Sequence, residues 1–197
     1  MNSRTEILKA IYDAKVPVLP RPKPFVVNSS PGSTEKFIEL VTAIGGTVDR
    51  LPVGRSLSEY LGHTPQYKSI VEDSHSIIFR DQSIEQLGIN ELVDEDTTSP
   101  KEFTLSILSG EFGVSENGAV WVCPKSLRAR LALVSTEHLI LVIPEIIVPT
   151  LHEAYTKISI ASGPTGYFIA GPSKTADIEQ NLVIGAQGAR SLLVLLK

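Results

Sequence analysis

Cysteine occurs once in these 197 residues, at Cys123. A lone thiol forbids an internal disulfide and cannot by itself build a structural zinc site or an iron–sulfur cluster. Beside Val120-Trp121-Val122, Cys123 reads as a small buried hydrophobe rather than a nucleophile. Long apolar runs are missing too, since none reaches the ~18 residues that span a bilayer. The opening MNSRTEILKAIYDA has no apolar h-region and no small-residue cleavage site, so it does not read as a secretory signal. A cytoplasmic location is the expectation. Basic clusters are scarce: with Lys+Arg 18 against Asp+Glu 22, the net charge of −4 lacks the footprint of a nucleic-acid binder. The histidines at 63, 75, 138 and 152 show no metal-ligand spacing, and no GxSxG elbow marks a hydrolase.

What is present suits one domain of ordinary globular composition. Ser3-Arg4-Thr5-Glu6 reads as a capping box, with Ile7, Leu8, Ile11 and Tyr12 on one stripe. PVLPRPKP, residues 17 to 24, then forms a stiff spacer, so residues 1–24 are a helical arm and 25–197 a single domain. The arm is expected to pack back on that domain, with partner binding as the alternative. Phe37, Leu40, Val41 and Ile44 predict a helix stopped by Gly45-Gly46, and Thr47 to Leu51 a strand. Short helical pieces are expected near Ser56–Leu61 and Ser83–Leu87, with an acidic turn at Asp94-Glu95-Asp96.

Beyond Pro100 the candidate strands are Phe103–Leu108, Phe112–Val114, Ala119–Val122, Leu139–Ile143, Tyr167–Ala170 and Ser191–Leu196. LILVI and LLVLL are near-continuous apolar runs, as strands covered on both faces of a parallel sheet require. A helix starts near Pro149 with Leu151, Tyr155 and Ile158 on one face; another is expected from about Thr175 to Ile184. The fold class is therefore α/β, a mostly parallel Rossmann-like sheet with helices on both faces.

Two constellations could carry chemistry. In Gly171-Pro172-Ser173-Lys174-Thr175 a strand hands over to the expected helix, so free amides could hold a phosphate or carboxylate, aided by Lys174 and the hydroxyls of Ser173 and Thr175. The alternative is a plain turn and N-cap, with Asp177 and Glu179 complementing the helix dipole. Asp177 in the first turn would repel a polyphosphate. A P-loop is rejected, because Pro172 stands where its lysine must be. In Ser115-Glu116-Asn117-Gly118, Asn-Gly is a preferred type I′ hairpin turn; the functional alternative presents Glu116 as a nucleophile or acid/base carboxylate.

Phe168 to Glu179 (FIAGPSKTADIE), Leu182-Val183-Ile184-Gly185 and Phe112 to Gly118 (FGVSENG) resemble the LUD-domain family of lactate-utilisation protein C and its relatives, over about residues 103 to 197. The resemblance implies the parallel α/β fold of the glucosamine-phosphate isomerase, ribose-phosphate isomerase and CoA-transferase group. It also implies a role in oxidising L-lactate to pyruvate beside cysteine-rich iron–sulfur partner subunits. The chain itself then carries no cofactor, and its ligand is a small organic acid or a CoA- or phosphate-type molecule. The implied ligand-binding residues are Gly171, Pro172, Ser173, Lys174, Thr175, Asp177, Asn117, Gly118, Gly185, Gln187 and Gly188. The family places His-Gly-Pro where this chain has Gln187-Gly188-Ala189, and Gln is neither acid nor base. Asn117-Gly118-Ala119 replaces its Thr-Gly-Thr and is similar to the SENG segment of CoA-transferases, whose glutamate attacks an acyl group. That makes Glu116 a candidate catalytic residue. An acyl-transfer enzyme and a non-catalytic scaffold are the competing readings, and homo-oligomerisation stays open.

Overall fold

A computed structural model describes residues 3–14, 20, 31–89, 91–92, 103–158, 165–176, 182–186 and 188–197. In chain order the elements begin with α1 (Ser3–Asp13), α2 (Thr34–Ala43), β1 (Thr47–Arg50), α3 (Leu57–His63) and α4 (Pro65–Glu72). There follow β2 (Ile78–Arg80), β3 (Glu91–Leu92), β4 (Phe103–Ser109), β5 (Phe112–Val114), β6 (Ala119–Val122) and α5 (Leu127–Val134). The rest are β7 (Thr136–Ile143), β8 (Ile147–Val148), α6 (Leu151–Lys157), β9 (Tyr167–Ile169), β10 (Lys174–Ala176), β11 (Leu182–Ile184) and β12 (Ser191–Leu196).

The apolar runs LILVI and LLVLL lie side by side at the middle of a six-stranded sheet of order β1-β12-β7-β4-β2-β3, every pairing parallel. Both of its faces are buried, which is why these strands show no alternation with polar residues. Leu139, Leu141, Ile143, Leu192, Val194 and Leu196 pack with Phe37 and Val41 of α2 and with Ala129, Ala132 and Leu133 of α5. On the other face Ile140, Leu193 and Leu195 meet Leu57, Tyr60 and Leu61 of α3 and Tyr67 of α4. Burial pushes the Tyr67 phenol up to about 12. Helices thus cover both faces, and the mostly parallel α/β class read from the sequence holds.

A second sheet, β8-β5-β6-β9, forms a third layer with α6, and there Trp121, Phe168 and Tyr155 stack at centroid spacings of 4.8 and 5.6 Å. Tyr167–Ile169 belongs to this layer and pairs antiparallel with β6, so it is not a strand of the parallel sheet. Ser56 caps α3 through a reciprocal capping box with Glu59.

Four expectations are corrected. Ser83–Leu87 is a turn and extended chain, held by Asp81 and Arg80 rather than by helical bonds. Residues 174–176 and 182–184 form an antiparallel hairpin in place of a helix, with Lys174 opposite Ile184 and Thr175 opposite Val183. The β-branched Thr175, Val183 and Ile184 favour that outcome. The Ser115–Gly118 connection has four residues instead of a two-residue type I′ turn, because Val114 pairs with Ala119. Finally, α1 forms but buries none of its residues: Ile7, Leu8, Ile11 and Tyr12 are all more than half exposed. Helices α4 and α5 and strands β2 and β3 had no clear periodic signal. The Asp94-Glu95-Asp96 turn lies outside the described residues.

Candidate functional site

The two segments singled out by sequence come together through the antiparallel pairing of β6 with β9, which sets Val120 opposite Ile169 and Trp121 opposite Phe168. Just beyond this pairing, Gly118 precedes β6 and Gly171 follows β9. Both glycines are left-handed, at φ 69° and 77°. A Cβ on Gly118 would lie 2.9 Å from the Val41 nitrogen, and one on Gly171 2.8 Å from the Ile44 carbonyl oxygen. Backbone approach to the last turns of α2, as well as conformation, therefore requires glycine at both positions.

Around this junction the predicted residues take distinct places. The Lys174 amine donates to the Ile44 carbonyl at the end of α2, a favourable cation at a helix C-terminus. Pro172 is buried beside Gly45. The Ser173 amide donates to the Ala189 carbonyl at 2.8 Å, while the Ser173 carbonyl accepts from the Gly185 amide at 3.0 Å. The Ser173 side chain also packs against Gly188. Ser173 thereby pins both ends of the Gly185–Ala189 segment. Asp177 and Gln187 lie outside the described residues.

That pinned segment rims a cavity of about 570 Å³, lined by Gly185, Ala186, Gly188 and Arg190 on one side and by Phe103, Thr104 and Val134 to Glu137 on the other. Phe103, Thr136 and Ser191 open strands β4, β7 and β12, so the cavity stands at the amino ends of the parallel strands. The Gly171–Thr175 loop reaches this amino edge through the bonds of Ser173 to Gly185 and Ala189. Among the described residues a hairpin follows the loop, so no helix N-terminus stands there.

The cavity's charge comes from two residues that sequence reasoning missed. Arg190 Nη1 and Glu137 Oε1 are 2.7 Å apart, and their side chains remain 65% and 44% exposed. Parallel pairing of β7 with β12 brings them together, a long-range contact with no local signature. Thr104 Oγ1 accepts from the Ile77 amide, and among the described residues its own proton has no acceptor. Next along β7, His138 Nδ1 is 2.7 Å from Ser191 Oγ, and burial, with Arg190 adding to it, holds the imidazole below its usual range.

Glu116 stands apart from this cavity. Its Oε2 accepts from the Leu151 amide at 2.7 Å, which caps the first turn of α6. Asn117 Oδ1 accepts from the Ala119 amide, closing the turn. Ser115 is buried, its hydroxyl directed at the Val148 and Pro149 carbonyls. The structure therefore sets Gly118 and Gly171 both against the end of α2 while giving Glu116 a backbone donor at α6.

These features define a three-layered α/β protein with a parallel central sheet and a loop-rimmed polar cavity at its amino edge. Residues 101–196 match the model of the LUD domain, and this half of the chain belongs to the LUD-domain family. Lactate utilization protein C 1 of Bacillus mycoides (strain KBAB4) is 33% identical over 103 residues, which take in 48% of this chain and 44% of that relative. The match thus spans less than half of the relative's length. A crystal structure of a DUF162 family protein from Deinococcus radiodurans superimposes with a TM-score of 0.56 at 18% identity, covering 82% of this chain and 94% of that one. That likeness is one of fold.

Proposed function

We propose that this chain is a component of a lactate-utilisation system, itself without a redox centre, that binds a small organic acid in the cavity behind the Gly171–Thr175 loop. The relative's name and the LUD domain support the system. The carrying observation for the ligand is Arg190, held at the rim of a 570 Å³ cavity by a segment that Ser173 pins at both ends. That volume falls within the ~300–1,000 Å³ of small-molecule sites.

A carboxylate can take both guanidinium donors of Arg190 in a bidentate pair. Glu137 occupies the guanidinium now, but so exposed a pair is worth at most about 1 kcal/mol. An incoming carboxylate therefore displaces it at little cost. Thr104 offers a hydroxyl proton to the 2-oxygen of a hydroxy or keto acid. With one cysteine in the sequence, lactate's electrons pass to cysteine-rich iron–sulfur partner subunits, and this chain holds or delivers the acid.

Isothermal titration with lactate, pyruvate and phosphate tests the ligand, and Arg190→Gln should weaken binding about tenfold or more, the loss of a charged hydrogen-bonded pair. Deletion of the gene should block growth on lactate, and the tagged protein should co-purify with iron–sulfur proteins. Normal lactate growth without it sinks the system assignment; binding untouched by Arg190→Gln sinks the site.

A further inference from the structure

At the opposite edge of the sheet a second cavity, of about 310 Å³, opens at the carboxyl ends of the parallel strands. In open α/β sheets this edge, where strands end and loops diverge, is the usual place for a ligand. Its walls are apolar, with Leu51, Leu57, Ile84 and Pro144 among them, and its polar lining is Ser83, Ser109, Glu85 and Lys197.

Behind the two serines stands Asp81, and the three side chains form a closed triangle. Ser83 Oγ is 3.0 Å from Asp81 Oδ1, Ser109 Oγ is 3.1 Å from Asp81 Oδ2, and the two hydroxyl oxygens are 2.8 Å apart. The Ser83 amide also donates to Asp81 Oδ1, at 2.9 Å. Three oxygen–oxygen contacts need three protons, yet an ionised aspartate and two serines supply only two. The carboxylate, as the strongest acceptor, draws both hydroxyl protons. Two serine oxygens are then left 2.8 Å apart with lone pairs facing each other and the cavity.

Such a pair calls for a ligand that donates hydrogen bonds at two adjacent oxygens. Glu85 and Lys197 carry opposite charges that offset one another in the lining, so the pair favours neither an anion nor a cation. We infer that the carboxyl-end cavity binds a neutral vicinal diol carried on a body with an apolar face, either a free sugar or the ribose of a nucleoside. One hydroxyl donates to Ser83 Oγ and its neighbour to Ser109 Oγ, while Leu51, Leu57, Ile84 and Pro144 cover the carbon face. Asp81 is a positioning residue that keeps both serines acting as acceptors. The buried Arg80 guanidinium bonds the Asp81 and Ile84 carbonyls and so fixes the loop that carries Ser83.

Saturation-transfer NMR and titration calorimetry on the whole chain, with adenosine, ribose, glucose and 2′,3′-dideoxyadenosine, test this. Diol-bearing compounds should bind, and dideoxyadenosine should bind at least about tenfold more weakly than adenosine, as expected for two lost hydrogen bonds. Adenosine without ribose or glucose assigns the ligand to nucleosides; binding of the free sugars assigns it to sugars. In Asp81→Asn and in Ser109→Ala the preference for the diol should collapse, an effect that general destabilisation would not produce. Equal binding of dideoxyadenosine, or no binding by any diol, overturns the proposal without recourse to a variant. So does a diol preference that survives in both variants.

Discussion

Arg80 offers the sharpest test of how this fold is held. Its side chain is 4% exposed, and Glu91, its partner 2.8 Å away, is 9% exposed. The guanidinium also donates to the Asp81 and Ile84 carbonyls, and the other Glu91 oxygen accepts from the Leu87 amide. Arg80→Ala leaves a buried carboxylate uncompensated and the Ile84 carbonyl without its donor, while the Asp81 carbonyl keeps the Ile84 amide. Breaking a buried pair from one side costs about 3–5 kcal/mol, against a total of about 5–15 kcal/mol for a domain. Glu91→Ala should fall in the same range, because it strands the guanidinium instead. Replacing both at once removes the stranded charge, so Arg80→Met with Glu91→Met should recover most of the loss. It should retain only about 1–2 kcal/mol for the orphaned Ile84 carbonyl. Urea unfolding followed by the fluorescence of Trp121, the one tryptophan, measures all three. If both single variants cost less than about 1 kcal/mol, or the double variant costs their sum, the pair is not what pins the loop.

Other outcomes follow from the site. Gly118→Ala and Gly171→Ala should each lower stability by at least about 1–2 kcal/mol, the left-handed penalty alone, before the close contact with α2 is added; thermal melts decide. Glu116→Ala should cost about 1 kcal/mol through the lost cap on α6, and Glu116→Gln less, because it keeps an acceptor; a mass adduct on Glu116 after acyl-CoA and borohydride would show that the residue does more. His138 is depressed in the folded state, so its contribution is present above the unfolded pKa of ~6.5 and is lost as pH falls through the folded value. Stability of the wild type should therefore drop below about pH 6.5 more steeply than that of His138→Gln. Tyr67, raised to about 12, contributes fully below ~10 and loses that contribution as pH climbs from there to about 12; phenolate absorbance should show its ionisation delayed until that range.

Much of the fold was legible because it is written in local pattern. The unbroken Leu139–Ile143 and Leu192–Leu196 runs suited strands buried on both faces, and α2 was marked by Phe37, Val41 and the Gly45-Gly46 stop. Local pattern misled where tertiary contacts outweighed it. Asp177 and Glu179 suggested a helix start after Thr175, yet Ser173 is tied to Gly185 and Ala189, and the flanking β-branched residues close a hairpin. Ser83 and Glu85 read as a helical turn because Arg80, which holds that loop extended, gives no sign in sequence of where its guanidinium points.

The amino-acid sequence alone determined the family of residues 101–196 and the parallel class of the sheet. Each of these depends on residue type and short-range spacing, which the chain carries wherever it folds. Only the tertiary structure decided that the Gly171–Thr175 loop lies at the amino edge of the sheet, that Arg190 meets Glu137, and that Asp81, Ser83 and Ser109 converge at the other edge. Those contacts join strands far apart in sequence, and which strand neighbours which is settled by packing two faces of one sheet at once.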